Sequence, residues 1–167
     1  MNKTMIRKIE SMLKNSQHDA RGAWMTNGKQ CFTTGYAAYR VNEPLPLPEI
    51  APIKAIDSMF ENQYSSEFVV DIDILKQCKK QNRDSLCRLG LVVLNVGKLL
   101  DMINITGAKN GTVYVNSDSK YSPVYVYGDN GDGLLCQVNP SRNAAIAAVF
   151  ADKTGNDFNN EWQNFRK

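Results

Sequence analysis

Apolar residues recur every three or four positions near the start of the chain. Ile6, Ile9 and Leu13 follow this spacing, which places them on one side of an α-helix. We therefore predict a helix over residues 4–14, with basic side chains around the rest of its surface.

The next pattern is typical of a β-hairpin. The segment "GAWMTNGKQCFTTGYAAYRVN" is rich in aromatic and β-branched residues around Asn27-Gly28. Asn-Gly is the strongest short turn signal, because both central residues of the favoured hairpin turn have positive φ. We predict a hairpin over residues 22–41.

Prolines interrupt the pattern in "EPLPLPEIAP", which contains Pro44, Pro46, Pro48 and Pro52. Proline lacks the amide donor that a helix interior or a central strand requires. We predict an extended crossover here, followed by a short helix at about residues 52–61.

Strands and helices alternate through the middle of the chain. "SEFVVDI" and "LCRLGLVVLNV" each predict one strand. "DIDILKQCKKQNRD" predicts a helix capped by Asp71 or Asp73, and "VGKLLDMINIT" predicts a helix that ends at Gly107. Residues 111–142 predict three strands with turns at 118–123 and at "GDNGDG", ending in "VNPSR".

The pattern changes again after Pro140. "SRNAAIAAVFAD" predicts a small amphipathic helix, and "KTGNDFNNEWQNFRK" predicts a polar tail that carries two aromatic residues. We therefore treat residues 143–167 as a C-terminal extension made of a helix and a tail.

The order of elements repeats within the chain. The helix over 4–14 and hairpin over 22–41 resemble the helix over 97–106 and hairpin over 111–127. This repetition predicts an α+β fold of two similar halves, about residues 1–66 and 67–142, with strands in a sheet and helices on one face.

Composition is that of an ordinary globular domain, with 43% hydrophobic and 22% charged residues in 167. No apolar run approaches 18 residues, and the first segment lacks the apolar core of a signal peptide. We expect a cytoplasmic protein without a membrane partner. Its four scattered cysteines are expected to be buried or half-buried reduced thiols.

Sequence features that suggest catalysis or a metal each have a simpler explanation. "GDNGDG" lacks the order of a calcium loop, and "TGAKNGT" lacks the spacing of a phosphate-binding loop. The single histidine, His18, has no cysteine pair or nucleophile with a suitable pattern beside it. We predict a non-enzyme with no catalytic residues, no metal site and no cofactor.

Basic residues concentrate on two of the predicted helices, and each helix alone is also consistent with a solvated face. If both helices lie on one face of a sheet, their charges combine into a surface that binds nucleic acid without reading its sequence. The candidate DNA-binding residues are Lys3, Arg7, Lys8, Lys14, Lys76, Lys79, Lys80 and Arg83.

Three segments resemble bacterial DNA polymerase sliding clamps. "LNVGKLLDMINITGAKNGTVYVNSDSKYSPVYVYGDNGDGLLCQVNPSR" resembles the last half-domain of a clamp, which closes in a "V-M-P-x-R"-like ending. "TNGKQCFTTGYAAYRV" is similar to the clamp hairpin, and "SEFVVDIDILKQCKK" is similar to the strand and helix that open a half-domain. The resemblance covers about residues 3–142 and implies an outer sheet with basic helices facing DNA.

The resemblance also implies a pocket for short peptides near the final proline. It carries over to Val138, Pro140 and Arg142, although Asn139 and Ser141 are polar where the family tends to place methionine. A clamp ring contains several such domains and this chain resembles one, so ring closure would require a homo-oligomer. The tail contains Trp162 and Phe165 and is similar to clamp-binding peptides, so it could fold over this pocket or enter a partner's.

The first hypothesis is therefore a non-enzymatic clamp-like protein, encoded by a phage or other mobile element, that binds DNA or a replication protein. The alternative is an inhibitor of a host defence nuclease, as anti-CRISPR proteins are. That reading uses Tyr121, Tyr125 and Tyr127 as an exposed interface, since tyrosine is common at binding hot spots. The alternative role for the same tyrosines is packing against neighbouring strands within the sheet.

Overall fold

The computed structural model of the chain describes residues 3–15, 22–62, 64, 66–116, 122–140, 144–156 and 158–165. These residues form an α+β fold, as predicted. The helices are α1 (Lys3–Lys14), α2 (Lys54–Phe60), α3 (Ile72–Gln81), α4 (Val96–Thr106) and α5 (Asn159–Phe165). The strands are β1 (Ala23–Thr26), β2 (Lys29–Thr33), β3 (Ala37–Val41), β4 (Ser66–Val69), β5 (Leu86–Leu89), β6 (Val92–Asn95), β7 (Thr112–Val115), β8 (Val124–Gly128), β9 (Gly131–Leu135) and β10 (Ile146–Phe150).

Seven of these strands form an antiparallel sheet in the order β1-β2-β3-β9-β8-β7-β4. The remaining three form a small sheet in the order β10-β5-β6, in which β10 runs parallel to β5. A helix followed by an antiparallel meander occurs twice along the chain, as α1-β1-β2-β3 and as α4-β7-β8-β9. The two meanders meet in the middle of the large sheet, where β3 pairs with β9.

The predicted turn at Asn27-Gly28 is confirmed, but the segment predicted as one hairpin forms three strands, β1, β2 and β3. Asn27 and Gly28 have φ of 48° and 74°, the left-handed conformation that this tight turn requires. The short helix predicted after the prolines is present as α2. It packs on the opposite face of the large sheet from the main core, because Phe60 contacts Ala38 and Leu134.

The centre of the main core is α4. Its first turn is capped by Asn95, whose side chain accepts from the Lys98 amide at 3.0 Å, and its end is closed by Gly107 at φ 74°. Leu99 and Met102 are fully buried against the sheet. A Cβ at Gly133 would come within 2.9 Å of the Met102 side chain, so glycine in β9 permits this close approach.

The prediction of a single strand over "LCRLGLVVLNV" is wrong. The structure has two antiparallel strands, β5 and β6, that pair from Leu86 with Asn95 to Leu89 with Val92. The turn between them is at Gly90, whose φ is 59°. Glycine adopts this positive φ without steric cost, so Gly90 allows the apolar run to reverse direction.

The helix predicted for "SRNAAIAAVFAD" is also wrong, since its described part contains β10. Alanine favours a helix, but here the backbone pairs with the edge of β5. Its side chains alternate accordingly: Val149 is 47% exposed and Phe150 is 8% exposed. The polar tail contains a helix instead, α5, which the sequence analysis did not predict.

Candidate nucleic-acid interface

Three helices, α1, α3 and α4, lie side by side, and the surface they form is called here the helical face. On α1, Ile9 and Leu13 are buried in the main core. Lys3, Arg7 and Lys14 are exposed. Their spacing of four and seven residues puts all three basic side chains on one stripe, on the side of the helix away from the core.

The basic residues of α3 are arranged in the same way. Asp71 caps the helix by accepting hydrogen bonds from the amides of Asp73 at 2.8 Å and Ile74 at 3.1 Å. Of the two predicted cap residues, Asp71 is therefore the one that caps α3. Leu75 and Cys78 are buried in the core. Lys76 and Lys80 are exposed and Lys79 is half-buried, while Arg83 is exposed two residues beyond the end of α3.

Asp101 of α4 joins the two basic helices. Its Oδ1 lies 2.6 Å from Nζ of Lys8 in α1 and 3.5 Å from Nζ of Lys79 in α3. A single carboxylate therefore contacts one lysine of α1 and one lysine of α3. The prediction that both basic helices share one face is consistent with this contact, which joins one lysine of each helix to α4.

Lys98 is a further basic residue on this face that the sequence analysis missed. It lies three residues before Asp101 on α4, hence on the same side of the helix. Its Nζ lies 3.2 Å from the centroid of the Tyr36 ring, a cation–π contact. Partial burial lowers the pKa of Lys98, because desolvation disfavours the charged ammonium. The sequence signal for Lys98 was its position as the single cation in a largely apolar predicted helix.

Acidic groups within the three helices are few. Besides Asp101 they are Glu10 and Asp73. Asp73 accepts from Lys76 at 2.9 Å, and this hydrogen bond lowers the pKa of the Asp73 carboxyl. Basic side chains outnumber acidic ones across α1, α3 and α4, so the helical face carries a net positive charge, whereas the chain as a whole is only +3.

Charges on the other face of the large sheet are paired with one another. Asp132 of β9 is 1% exposed and accepts from Lys29 at 3.0 Å and from Nε of Arg40 at 2.9 Å. Arg40 also bonds Glu61 at 3.1 Å, and its guanidinium lies 4.5 Å from the centroid of the Phe60 ring. This cluster is therefore internally neutralised and holds α2 on the sheet.

The structure describes two of the three residues that were predicted to form a peptide pocket. Val138 is half-buried, and its amide donates to the carbonyl oxygen of Val93 in β6 at 2.8 Å. Pro140 is half-buried, and Arg142 lies outside the described residues. The described residues form an apolar pocket of about 260 Å³ at another place, lined in part by Phe68, Leu89, Val92, Val115 and Phe158.

The tail residues predicted to bind a partner lie in α5. Trp162 is 5% exposed, and the guanidinium of Arg88 in β5 lies 5.2 Å from its ring centroid. Phe165 is the last residue of α5. Trp162 thus packs on the small sheet, whereas the hypothesis placed the tail over the predicted pocket at Val138 and Pro140.

The structure describes two of the three tyrosines on which the nuclease-inhibitor hypothesis depends. Tyr125 stacks on Tyr64 with centroids 5.1 Å apart, and it lies 6.1 Å from the Tyr114 ring across the strand pair. Tyr127 is 61% exposed, and Tyr121 lies outside the described residues. Tyr125 thus packs within the fold.

The thiols and potential ligands show no assembled metal site in the described part of the chain. Cys31, Cys78 and Cys87 are buried and free, as predicted, whereas Cys136 is exposed. No group of three or more histidine, cysteine or acidic side chains among the described residues could hold a metal ion. His18 lies outside those residues. Likewise, none of the described helices has the length and apolarity needed to cross a bilayer.

Comparisons with protein-family models, with curated proteins and with solved structures find no match. The similarity to sliding clamps therefore depends on the sequence segments quoted above and on no recognised relative.

Proposed function

We propose that this protein is a non-enzymatic, clamp-like module that binds the phosphate backbone of duplex DNA through its helical face. The observation that carries the proposal is the contact of Asp101 with both Lys8 and Lys79. It brings two basic helices, distant in sequence, onto one surface beside α4.

The chemistry of this face suits a phosphate backbone. Lysine and arginine side chains on exposed stripes neutralise phosphates and release counterions, and such binding does not depend on base sequence. The opposite face offers a contrast, because its Arg40 and Lys29 are held by the buried Asp132, whereas the ion pairs of the helical face are partly or fully exposed. A clamp-like architecture places helices toward DNA and the sheet on the outside. It accounts both for the positive charge of the helical face and for the sequence segments that resemble sliding clamps.

The test measures affinity for a duplex DNA of arbitrary sequence as a function of salt. One variant combines Arg7→Glu with Lys14→Glu on α1, and a second combines Lys76→Glu with Lys80→Glu on α3. These side chains are exposed, so the fold is expected to persist. Lys8 and Lys79 are left in place because they pair with Asp101.

Each variant should bind DNA more weakly, and the slope of log K against log salt should become shallower by about 2, close to one unit per lost phosphate contact. The matched control is Lys54→Glu with Lys109→Glu, which changes the net charge equally outside the helical face. Equal losses in the control and in the two test variants would contradict the proposal, as would wild-type binding that does not weaken with salt.

A further inference from the structure

The apolar pocket of about 260 Å³ lies where the large sheet meets the small sheet. The large sheet contributes Phe68 of β4 and Val115 of β7 to its lining. The small sheet contributes Leu89 of β5 and Val92 of β6. All four side chains are at most 5% exposed, so this wall of the pocket is fixed by the core.

Phe158 lines the same pocket in an unusual backbone conformation. Its φ is 57°, in the left-handed region that a bulky side chain rarely adopts. Two hydrogen bonds hold it there. The Phe158 amide donates to Oδ1 of Asn156 at 3.0 Å, and its carbonyl oxygen accepts from the Trp162 amide at 2.9 Å. Strained residues of this kind concentrate at ligand sites, where the surrounding structure keeps a side chain in place.

The rings of Phe158 and Phe68 form an aromatic wall. Their centroids lie 6.2 Å apart. A Cβ at Gly90 would come within 3.2 Å of the Phe68 ring and 3.3 Å of the Phe158 ring. Glycine at the turn between β5 and β6 therefore leaves room for both rings.

The polar side chains that line the pocket include one charge. Ser66 and Asn116 are half-buried, and Glu161 is exposed. No ion pair or hydrogen bond joins the Glu161 carboxylate to another residue in the described part of the chain. Arg88 lies behind Gly90, donates to its carbonyl oxygen at 3.0 Å, and does not line the pocket.

We propose that this pocket binds a small aromatic amine, with the ring against Phe68 and Phe158 and the ammonium group beside Glu161. The volume suits such a ligand, since a dry apolar cavity of about 150 Å³ holds one benzene molecule. The additional space accommodates a short arm, and aromatic side chains favour an aromatic ring. None of the lining residues belongs to α1, α3 or α4, so this site is independent of the proposed DNA binding.

The test compares three probes that share a phenyl ring and differ in the group at the end of the arm: phenethylamine, phenethyl alcohol and phenylacetate. Phenethylamine should shift the backbone amide resonances of Gly90, Val92 and Val115 saturably, with a dissociation constant near about 1 mM. It should bind about threefold more tightly than the alcohol, because the carboxylate of Glu161 is exposed and its attraction is screened. Phenylacetate should bind most weakly. The net charge of +3 favours the anion elsewhere on the surface, so a preference for the amine reports the local carboxylate.

Two variants test the two parts of the site. Glu161→Gln should abolish the advantage of the amine over the alcohol and leave binding of the alcohol unchanged. Glu49→Gln, which neutralises an exposed glutamate of the proline-rich crossover, is its matched control and should behave like the wild type. Ser66→Phe should fill the pocket and weaken the amine and the alcohol alike. Circular dichroism and thermal melting check the fold of each variant, and the exposed Glu161→Gln change decides the result if Ser66→Phe does not fold.

Four outcomes would overturn the proposal. They are amide shifts that fall outside the pocket, phenylacetate binding as tightly as phenethylamine, a folded Ser66→Phe variant with unchanged affinity, and equal losses of amine affinity in Glu161→Gln and Glu49→Gln. A Glu161→Gln variant that keeps the wild-type preference for the amine would overturn it as well.

Discussion

The ammonium group of Lys8 in α1 lies 2.6 Å from a carboxylate oxygen of Asp101 in α4, across 93 positions of sequence. The same carboxylate reaches Lys79 of α3. Asp101 therefore has two roles that can be separated by experiment. It ties three helices together, and it places a negative charge in the middle of a positive surface.

Replacing Asp101 with asparagine should have opposite effects on stability and on DNA binding. The free energy of unfolding should fall by at most about 1 kcal/mol, because these ion pairs are partly exposed and screened by solvent. DNA affinity should rise and its salt slope should steepen by about 1, because Lys8 and Lys79 become available to phosphates. Denaturant titration and fluorescence anisotropy measure the two effects.

Asp129→Asn is the control for Asp101, because it releases Lys109 from an exposed pair outside α1, α3 and α4. It should change neither quantity appreciably. Weaker DNA binding in Asp101→Asn would mean that the carboxylate positions the two lysines rather than competing for them.

Replacing Asp132 with asparagine should destabilise the fold far more than the same change at Asp129. Asp132 is 1% exposed and pairs with both Arg40 and Lys29. Removing its charge leaves partly buried cations without their counter-ion, a loss of about 3 kcal/mol in the free energy of unfolding. Asp129→Asn breaks an exposed pair and should cost less than about 1 kcal/mol. Similar losses in the two variants would show that the buried cluster contributes little.

Alkaline pH should reduce stability through the buried thiol of Cys87. Burial raises its pKa from 9.0 to about 12, because the core disfavours the thiolate. The unfolded chain therefore ionises first, so this contribution is complete below pH 9.0 and is lost as pH rises toward about 12. One such group lowers the free energy of unfolding by about 1.4 kcal/mol per pH unit in that window.

The variant Cys87→Ala isolates this term. Its absolute stability will be lower because of the cavity, but its dependence on pH between about 9 and 12 should be shallower by that same amount. Urea titrations at several pH values compare the slopes. Identical slopes in the two proteins would show that Cys87 ionises normally in the fold.

Replacing Trp162 with alanine tests whether this residue serves the fold or a partner. Trp162 is 5% exposed and lies over Arg88, so its removal should cost about 3 kcal/mol in the free energy of unfolding. Tyr127→Ala, which removes an aromatic ring that is 61% exposed, should cost far less. An unchanged stability in Trp162→Ala would favour the earlier reading of the tail as a partner-binding segment.

Local signals in the sequence were sufficient for much of the fold. Asn27-Gly28 predicted a hairpin turn, Asp71 was one of two predicted caps, and Gly107 predicted the end of α4, because each of these residues acts through its own backbone or its nearest neighbours. The apolar spacing of α1 predicted which face is buried, since a single helix determines that periodicity. The basic residues of α1 and α3 were likewise predicted from the sequence, whereas Lys98 of α4 was not.

The tertiary structure decided what local preference could not. Residues 146–150 have the composition of a helix, yet they form β10 because the edge of β5 supplies backbone partners from 60 residues away. The sequence alone also could not place α1 beside α3. That arrangement depends on packing in the shared core and on Asp101, which contacts a lysine of each basic helix.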